Sequence, residues 1–364
     1  MSQILKQQAP VIILLVFILV NCHTSEKKPE STEVTQRFQW EILPTPVDAS
    51  LRGLSTVNEK IAWASGSGGT VIRTVDGGRS WDQSQIPTAQ NLDFRDIHAF
   101  DENTALVLSA GLPAKIFKTT NGGEHWVETY SNENEGVFFD AMDFWDRQNG
   151  IAFSDPIDGH LLIIITNDGG ETWRPVPKEN IPEAKTGEGG FAASGTCLTV
   201  YGDKNVWIGS GVNSARVFHS EDRGQRWEVY ETPIIQNRES TGIFSLAFRD
   251  SLHGVAVGGD YQADTLSLAN AAITSDGGKT WALIDKNSPF GFKSCVSYFS
   301  SPDSGQLIAL GTSGSDYSLD GGNSWHHMDS TAFHVVSFSD DGKAGFAAGP
   351  GGKVARFVMS GGSN

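Results

Sequence analysis

The residues of this 364-residue chain that could do chemistry are a mixture of carboxylates, aromatics and a few arginines. Arg52, Arg95, Asp96 and Asp140 stand near the starts of short apolar strands. Asp158, His160, Glu188, Phe191, Arg238, Glu239, Tyr261, Asp264, Phe290 and Phe292 fall in the longer excursions between strands. Such a mixture suits a mouth that binds protein or sugar. It also leaves hydrolysis open, because glycoside cleavage needs only two carboxylates about 5 to 9.5 Å apart. The Gly-rich run G-E-G-G-F-A-A-S-G at 187–195 lacks a following Lys-Ser/Thr and precedes a strand, so it fails the test for a phosphate-binding loop. The nine histidines form no H-x-x-x-H pair and the three cysteines no C-x-x-C, so no metal centre and no cofactor is expected.

What must position these residues is a phrase that the chain repeats. T-V-D-G-G-R-S-W at 74–81 returns at 119–126, 166–173, 220–227, 274–281 and 318–325. Its Asp or Asn stands at Asp76, Asn121, Asp168, Asp222, Asp276 and Asp320, in steps of 45, 47, 54, 54 and 44 residues. Its Trp stands at Trp81, Trp126, Trp173, Trp227, Trp281 and Trp325. A period of this length signals a repeat architecture. The carboxyl or amide side chain can accept hydrogen bonds from the backbone N–H groups of the turn that follows. Gly supplies the positive φ that a tight corner demands, and Trp offers an apolar face to a neighbouring sheet. These twelve residues therefore read as structural.

Between the phrases the chain is all-β, with short alternating strands and no long helical periodicity. Seven innermost strands are expected, starting at Leu51, Phe94, Phe138, Gly195, Ile243, Ser294 and Phe333. The final repeat lacks its Trp-bearing strand, and the orphan segment F-Q-W-E-I-L at 38–43 can supply it. The expected fold is a seven-bladed β-propeller over 37–362, with roughly 46 residues per blade and the ring closed by the N-terminal strand, which removes an exposed edge. Six blades plus a cap is the alternative. The phrase corners share one face, and the long loops at 154–160, 178–194, 233–242, 261–270 and 287–293 share the other. Loops on a rigid scaffold carry function, so the binding mouth is expected opposite the corners, around the central channel.

The phrase resembles the Asp-box (BNR) repeat of sialidases, sortilin-type receptors, xyloglucanases and photosystem II stability/assembly factors. Together with second strands such as G-V-A-V-G-G, the chain is most similar to the photosystem II stability/assembly factor-like family of bacterial proteins. That resemblance implies a non-catalytic propeller that holds a protein partner, using arginines on its inner strands; Arg52 and Arg95 stand at such places. The sialidase pattern is not met. No Arg-Ile-Pro precedes Asp76, no arginine triad can be assigned among Arg52, Arg95, Arg216 and Arg238, and Tyr317 sits beside a box.

Residues 1–22 read as a lipoprotein-type signal, with an apolar run too short to span a membrane ending L-V-N-C at Cys22. Lipidation of Cys22 would anchor the chain outside the cytoplasm of a bacterium, in the periplasm or at the outer membrane; plain secretion is the alternative. The polar stretch 23–36 reads as a flexible tether. The formal charge is −16, and removing 1–22 takes away Lys6 to leave −17. Such a chain repels nucleic acid and anionic lipid. Cys197 and Cys295 fall in non-adjacent blades and are expected as buried free thiols. The resulting expectation is a monomeric, membrane-tethered binding or assembly propeller without catalysis of its own. A carbohydrate-binding propeller and a sialidase-like glycoside hydrolase are the other readings.

Overall fold

The computed structural model describes residues 37–284, 286–299 and 304–360. The expected signal segment with Cys22 and the tether lie outside the described residues. Among the described residues, 28 strands form seven separate four-stranded antiparallel sheets. Each sheet is one blade, and six run consecutively in sequence. The seventh joins Val335–Phe338, Gly345–Ala348 and Val354–Ser360 to the first strand of the chain, Arg37–Leu43. That strand pairs with the last one over seven residues, from Arg37 against Ser360 to Leu43 against Val354. The ring is therefore closed by strand exchange between the two ends of the chain.

The fold is legible in the blade grammar. Second strands such as Gly254–Asp260 are buried throughout, as small residues at a converging interior require. Hydrophobic clusters bridge adjacent blades. One joins Trp63 of the first blade to Phe94, Phe117 and Trp126 of the second. Burying one such side chain contributes about 1.5–3 kcal/mol. The fourth innermost strand starts at Leu198, later than the expected Gly195, because residues 187–195 are engaged elsewhere.

The Asp-box corners carry more bonds than side-chain-to-turn acceptance. In the third box the Thr166 hydroxyl donates to Asp168 (2.7 Å) and accepts from the Gly170 amide (2.9 Å). Asp168 then accepts from the Thr172 amide and hydroxyl. The Ser/Thr at the head of the phrase is thus as much a part of the corner as the acid. Asn121 makes the equivalent amide bond, to His125, without a charge. In the fourth box Arg223 takes the left-handed position that Gly fills in the others, at φ 61. The Trp precedes the fourth strand by one residue instead of starting it, as with Trp173 before Arg174.

Slight burial acts to raise the Asp168 pKa, but its hydrogen bonds to Thr172 and Thr166 outweigh that and hold it at about 2. A depressed carboxyl stabilises the fold above its unfolded pKa, near 4, and that contribution is lost as pH falls toward 2. Asp168→Ala should cost about 1 kcal/mol, since the bonds are neutralised in part by solvent. Asp168→Asn should cost less and flatten acid unfolding between pH 4 and 2, as Asn121 already does in its own box. Urea denaturation across that range measures both.

Candidate functional site

Register places the site. Counting back four residues from the last paired residue of each innermost strand (Thr56, Ala99, Phe144, Tyr201, Phe248, Tyr298 and Phe338) reaches one equivalent position per blade. Those positions hold Arg52, Arg95, Asp140, Cys197, Phe244, Ser294 and His334. In four blades this residue is the extra one of a bulge, where the ladder skips Arg52, Arg95, Asp140 and Phe244. A bulge re-aims a side chain without ending the strand. The ring is polarised: cationic or imidazole groups in blades seven, one and two, an acid in blade three, and an apolar thiol and ring in blades four and five.

Residues 187–195 lie across this ring as a plug. Arg52 donates to the Ala193 carbonyl (3.3 Å) and Arg95 to the Ala192 carbonyl (2.8 Å). Phe191 stacks on Phe244, with ring centroids 3.8 Å apart, and the Ser194 hydroxyl donates to the Ser294 carbonyl (2.7 Å). Gly190 faces Asp140 so closely that a Cβ there would meet its carboxyl at 2.5 Å. Gly195 is left-handed, at φ 72, and packs on the Asp96 carboxyl. The Gly-rich composition is therefore the cost of passing a backbone over three carboxylates, since the Gly190 amide also donates to Asp155 (2.8 Å).

The base of the plug is fixed by a buried ion pair. Glu188 receives Arg216 Nε (2.9 Å) and Nη2, the Ser210 hydroxyl (2.6 Å) and the Lys185 amide (2.7 Å). Burial acts to raise the Glu188 pKa, but the Arg216, Ser210 and Lys185 hydrogen bonds overcome it and the net direction is down. Isolated bridges tie Gly189 to Gly211 and Gly211 to Gly242. Toward the boxes, the channel beyond the plug is a cavity of about 580 Å³ whose lining includes Gly195, Thr196, His98 and Tyr298.

On the loop face the plug leaves a cationic sector. Arg95 Nε donates to Asp93 (2.6 Å) and stays a quarter exposed. Arg52 makes no ion pair within 4 Å among the described residues. Burial first, then the Arg95 charge, draws Arg52 down to about 10 against the pull of Asp93, so it remains charged at neutral pH. Burial, then Arg52, Arg95 and Lys353, lowers His334 to about 3, so its imidazole is neutral. Lys353 completes the sector, over the Phe333 ring and bonded to the Ala332 carbonyl (3.3 Å).

Of the residues singled out in the sequence, Arg52, Arg95, Asp140, Phe191, Tyr261 and Phe292 meet at this mouth or at its aromatic side. Tyr261 lies 6.3 Å from Phe191 and 6.2 Å from Phe244; Phe292 lies 4.6 Å from Phe244. Asp96 sits beneath the plug, accepting from the Ile97 and Met142 amides, and burial lifts it to about 8 despite those bonds. Glu188 is the structural anchor described above. Asp158 is the exposed, left-handed tip of a hairpin, and His160 bonds the Ile181 carbonyl. Arg238 reaches Asp260, and Glu239 is exposed beside it. Phe290 is exposed, and the Asp264 carbonyl accepts from the Phe292 amide.

Phe244, Asp155, His334 and Lys353 escaped the sequence reading. Writing the seven innermost strands in one register would have found Phe244 and His334. One carboxylate pair does converge. Burial, then the Asp155 charge, pushes Asp140 well up, against Arg95 and the Ala192 amide. Burial raises Asp155 to about 6 against the Gly190 amide. Neither Asp140 oxygen is open to solvent or finds a well-aligned hydrogen bond.

Residues 32–136 match the family described as photosynthesis system II assembly factor YCF48. None of the curated proteins matches the chain. Among solved structures, YCF48 bound to D1 peptide superposes with a TM-score of 0.62 at 18% identity, covering 88% of this chain and 96% of that one. YCF48 from Cyanidioschyzon merolae gives 0.61 at 16% identity, with 87% and 98% covered. The GH74 xyloglucanase from Xanthomonas campestris gives 0.57 at 16% identity and covers 87% of this chain but 53% of its own. The chain is a seven-bladed Asp-box propeller resembling these assembly factors.

Removing one partner of a buried ion pair strands the other charge, at about 3–5 kcal/mol. Glu188→Ala should therefore destabilise the chain by about 3 kcal/mol in urea unfolding. It should also raise amide hydrogen exchange across 187–195 more than elsewhere. Glu188→Gln keeps one accepting oxygen but sets an NH2 group against a donor and leaves Arg216 without its counter-charge, so it should lose nearly as much.

Proposed function

We propose that this propeller is a non-catalytic binding module that holds a protein partner by a carboxylate-bearing segment seated on Arg52 and Arg95. The observation that carries this is the Arg52–Arg95 pair itself. Two guanidinium groups stand at the mouth of an acidic chain, held by the carbonyls of Ala193 and Ala192 and by one carboxylate, Asp93. Guanidinium presents five donors in a fixed fork that matches a carboxylate. Charge-assisted bonds are roughly twice as strong as neutral ones, so an arriving carboxylate outcompetes water for the donors that carbonyls leave open. The likeness to YCF48 bound to D1 peptide supports peptide as the ligand class.

A hydrolytic reading would draw on Asp140 and Asp155. The closure of Asp140 beneath Gly190 counts against it, because a sugar cannot reach a carboxyl whose oxygens are sealed. The location proposed for this activity is outside the cytoplasm, with lipidated Cys22 as anchor and 23–36 as spacer. Two acyl signals suffice for stable anchoring, at about 0.8 kcal/mol per buried CH₂.

Capture from detergent-solubilised membranes tests the binding reading. The wild-type chain should retain a specific protein in a salt-sensitive way. Arg52→Ala with Arg95→Ala should retain about tenfold less, while Asp158→Ala, at an exposed hairpin tip, should match wild type. Unchanged capture by the double arginine variant, or glycan-array binding with no protein retained, would sink the proposal. For the anchor, Cys22→Ser should move the protein from the membrane fraction to the soluble extract. A protein still sedimenting with membranes after that change would refute lipidation at Cys22.

A further inference from the structure

The mouth has a second determinant, on the side facing the arginines across the plug. Of the twelve exposed large hydrophobic residues among the described residues, four lie within 261–290: Tyr261, Leu266, Leu268 and Phe290, each 40% exposed or more. They are gathered because two loops fold onto each other. The Phe292 amide donates to the Asp264 carbonyl (2.8 Å), the Gly291 amide to the Ser267 hydroxyl (2.7 Å), and Asn270 to the carbonyls of Pro289 and Gly291. Phe244 and Phe292, both nearly fully buried, pack on each other, with Tyr261 at the edge of Phe244. Tyr261 is therefore the lip of the mouth, the exposed edge of an ordered aromatic cluster, whereas Phe290 lies farther out, beside His327 of the sixth blade's outermost strand (6.1 Å).

The plug shows how a peptide satisfies both sides at once. Its Ala192 and Ala193 carbonyls face Arg95 and Arg52, while Phe191, one and two residues earlier, stacks on Phe244. At about 3.3 Å per extended residue, the polar and apolar sides of the mouth lie within a few residues of each other.

We infer that the partner's segment is a short extended peptide that pairs an acidic group on Arg52 and Arg95 with an aromatic or aliphatic side chain, two to four residues away, on the lip that Tyr261 forms beside Phe191 and Phe244. This rests on the proposed arginine site and adds to it. Charge complementarity and the internal template favour a peptide over a bilayer. The guanidinium groups are half-buried against the plug's carbonyls instead of projecting from a flat surface, and the chain's charge of −16 repels anionic lipid. Apolar anchors also supply what a carboxylate alone lacks, because hot spots are desolvated aromatic contacts.

A phage-displayed library of random nonapeptides, selected on the intact chain, tests this, with the affinities of the selected peptides then read by fluorescence anisotropy. Enriched peptides should carry an Asp, Glu or free carboxyl terminus two to four residues from an aromatic or aliphatic residue. Amidated copies tell a terminal carboxylate from a side-chain one. Tyr261→Asp, the lip variant, should weaken them about tenfold, as should Arg52→Ala with Arg95→Ala. Leu252→Asp, an equally exposed apolar position on the box face, should leave them unchanged; thermal unfolding checks that every variant folds. An acid-only consensus indifferent to the lip variant overturns the inference and leaves the arginine site standing. Peptides indifferent to the arginine variant, or no enrichment at all, overturn both. Binding of phosphatidylglycerol vesicles that the lip variant abolishes, with peptides unaffected by it, assigns the lip to membrane and also overturns the inference.

Discussion

Pairing of Arg37–Leu43 with Val354–Ser360 is the constraint on which the rest of the structure depends. Each four-stranded blade is a small antiparallel sheet with two edges, and only a closed ring gives every blade a neighbour on both faces. The exchange strand does more than complete a ladder. Phe38 packs on Phe299 and Tyr317 of the sixth blade, and the Trp40 indole donates to Ser315. The seam between the ends of the chain is thus packed like any other interface between blades. Once the ring is closed, the seven innermost strands must converge, and their equivalent positions face one another across a narrow channel.

Convergence explains the chemistry of the mouth. A ring of seven equivalent positions filled by one residue type would be either an apolar core or a hub of like charges. Here the ring is filled unevenly, and the plug's backbone mediates between its sectors. Carbonyls accept from Arg52 and Arg95, an amide donates to Asp155, and Phe191 covers Phe244. A backbone is suited to this because it carries donor and acceptor in every residue. Glycine lets it come close enough to the carboxylates. The buried Glu188–Arg216 pair then holds the loop at its base, where breaking either partner would strand a charge.

Most of the fold was legible in the sequence, because the Asp box couples a local hydrogen-bonded corner to a fixed period. The period yields the blade count, and the orphan strand with Trp40 yields the closure. What the box did not reveal was the hydroxyl at its head, since Thr166 reads equally well as an ordinary strand end. The site was legible in part. Arg52, Arg95 and Asp140 were visible because they interrupt apolar strands with charge. Phe244 and His334 occupy the same register but blend into an aromatic strand and a polar strand start. The Gly-rich run fails the phosphate-loop pattern on sequence alone. Its actual task depends on contacts with residues up to about 140 positions away in sequence, such as Arg52 with Ala193, and no local pattern encodes that. Glu188, a binding candidate by sequence, is the buried partner of Arg216, and that pairing spans 28 residues.

The plug also bears on how tightly such a mouth can bind. Ordering a long side chain at an interface costs about 0.5–1.5 kcal/mol each. Arg52 and Arg95 are already held by carbonyls and partly desolvated, so much of that cost is met in the fold before any partner arrives. The carbonyls carry no net charge, so the sector keeps two guanidinium groups against the one carboxylate of Asp93. A carboxylate in the Ala192 or Ala193 position would have neutralised the sector and closed the site. A channel with no plug would have left two mutually repelling guanidinium groups mobile in water. Backbone carbonyls sit between these limits, which orders the arginines while keeping them available to an incoming charge.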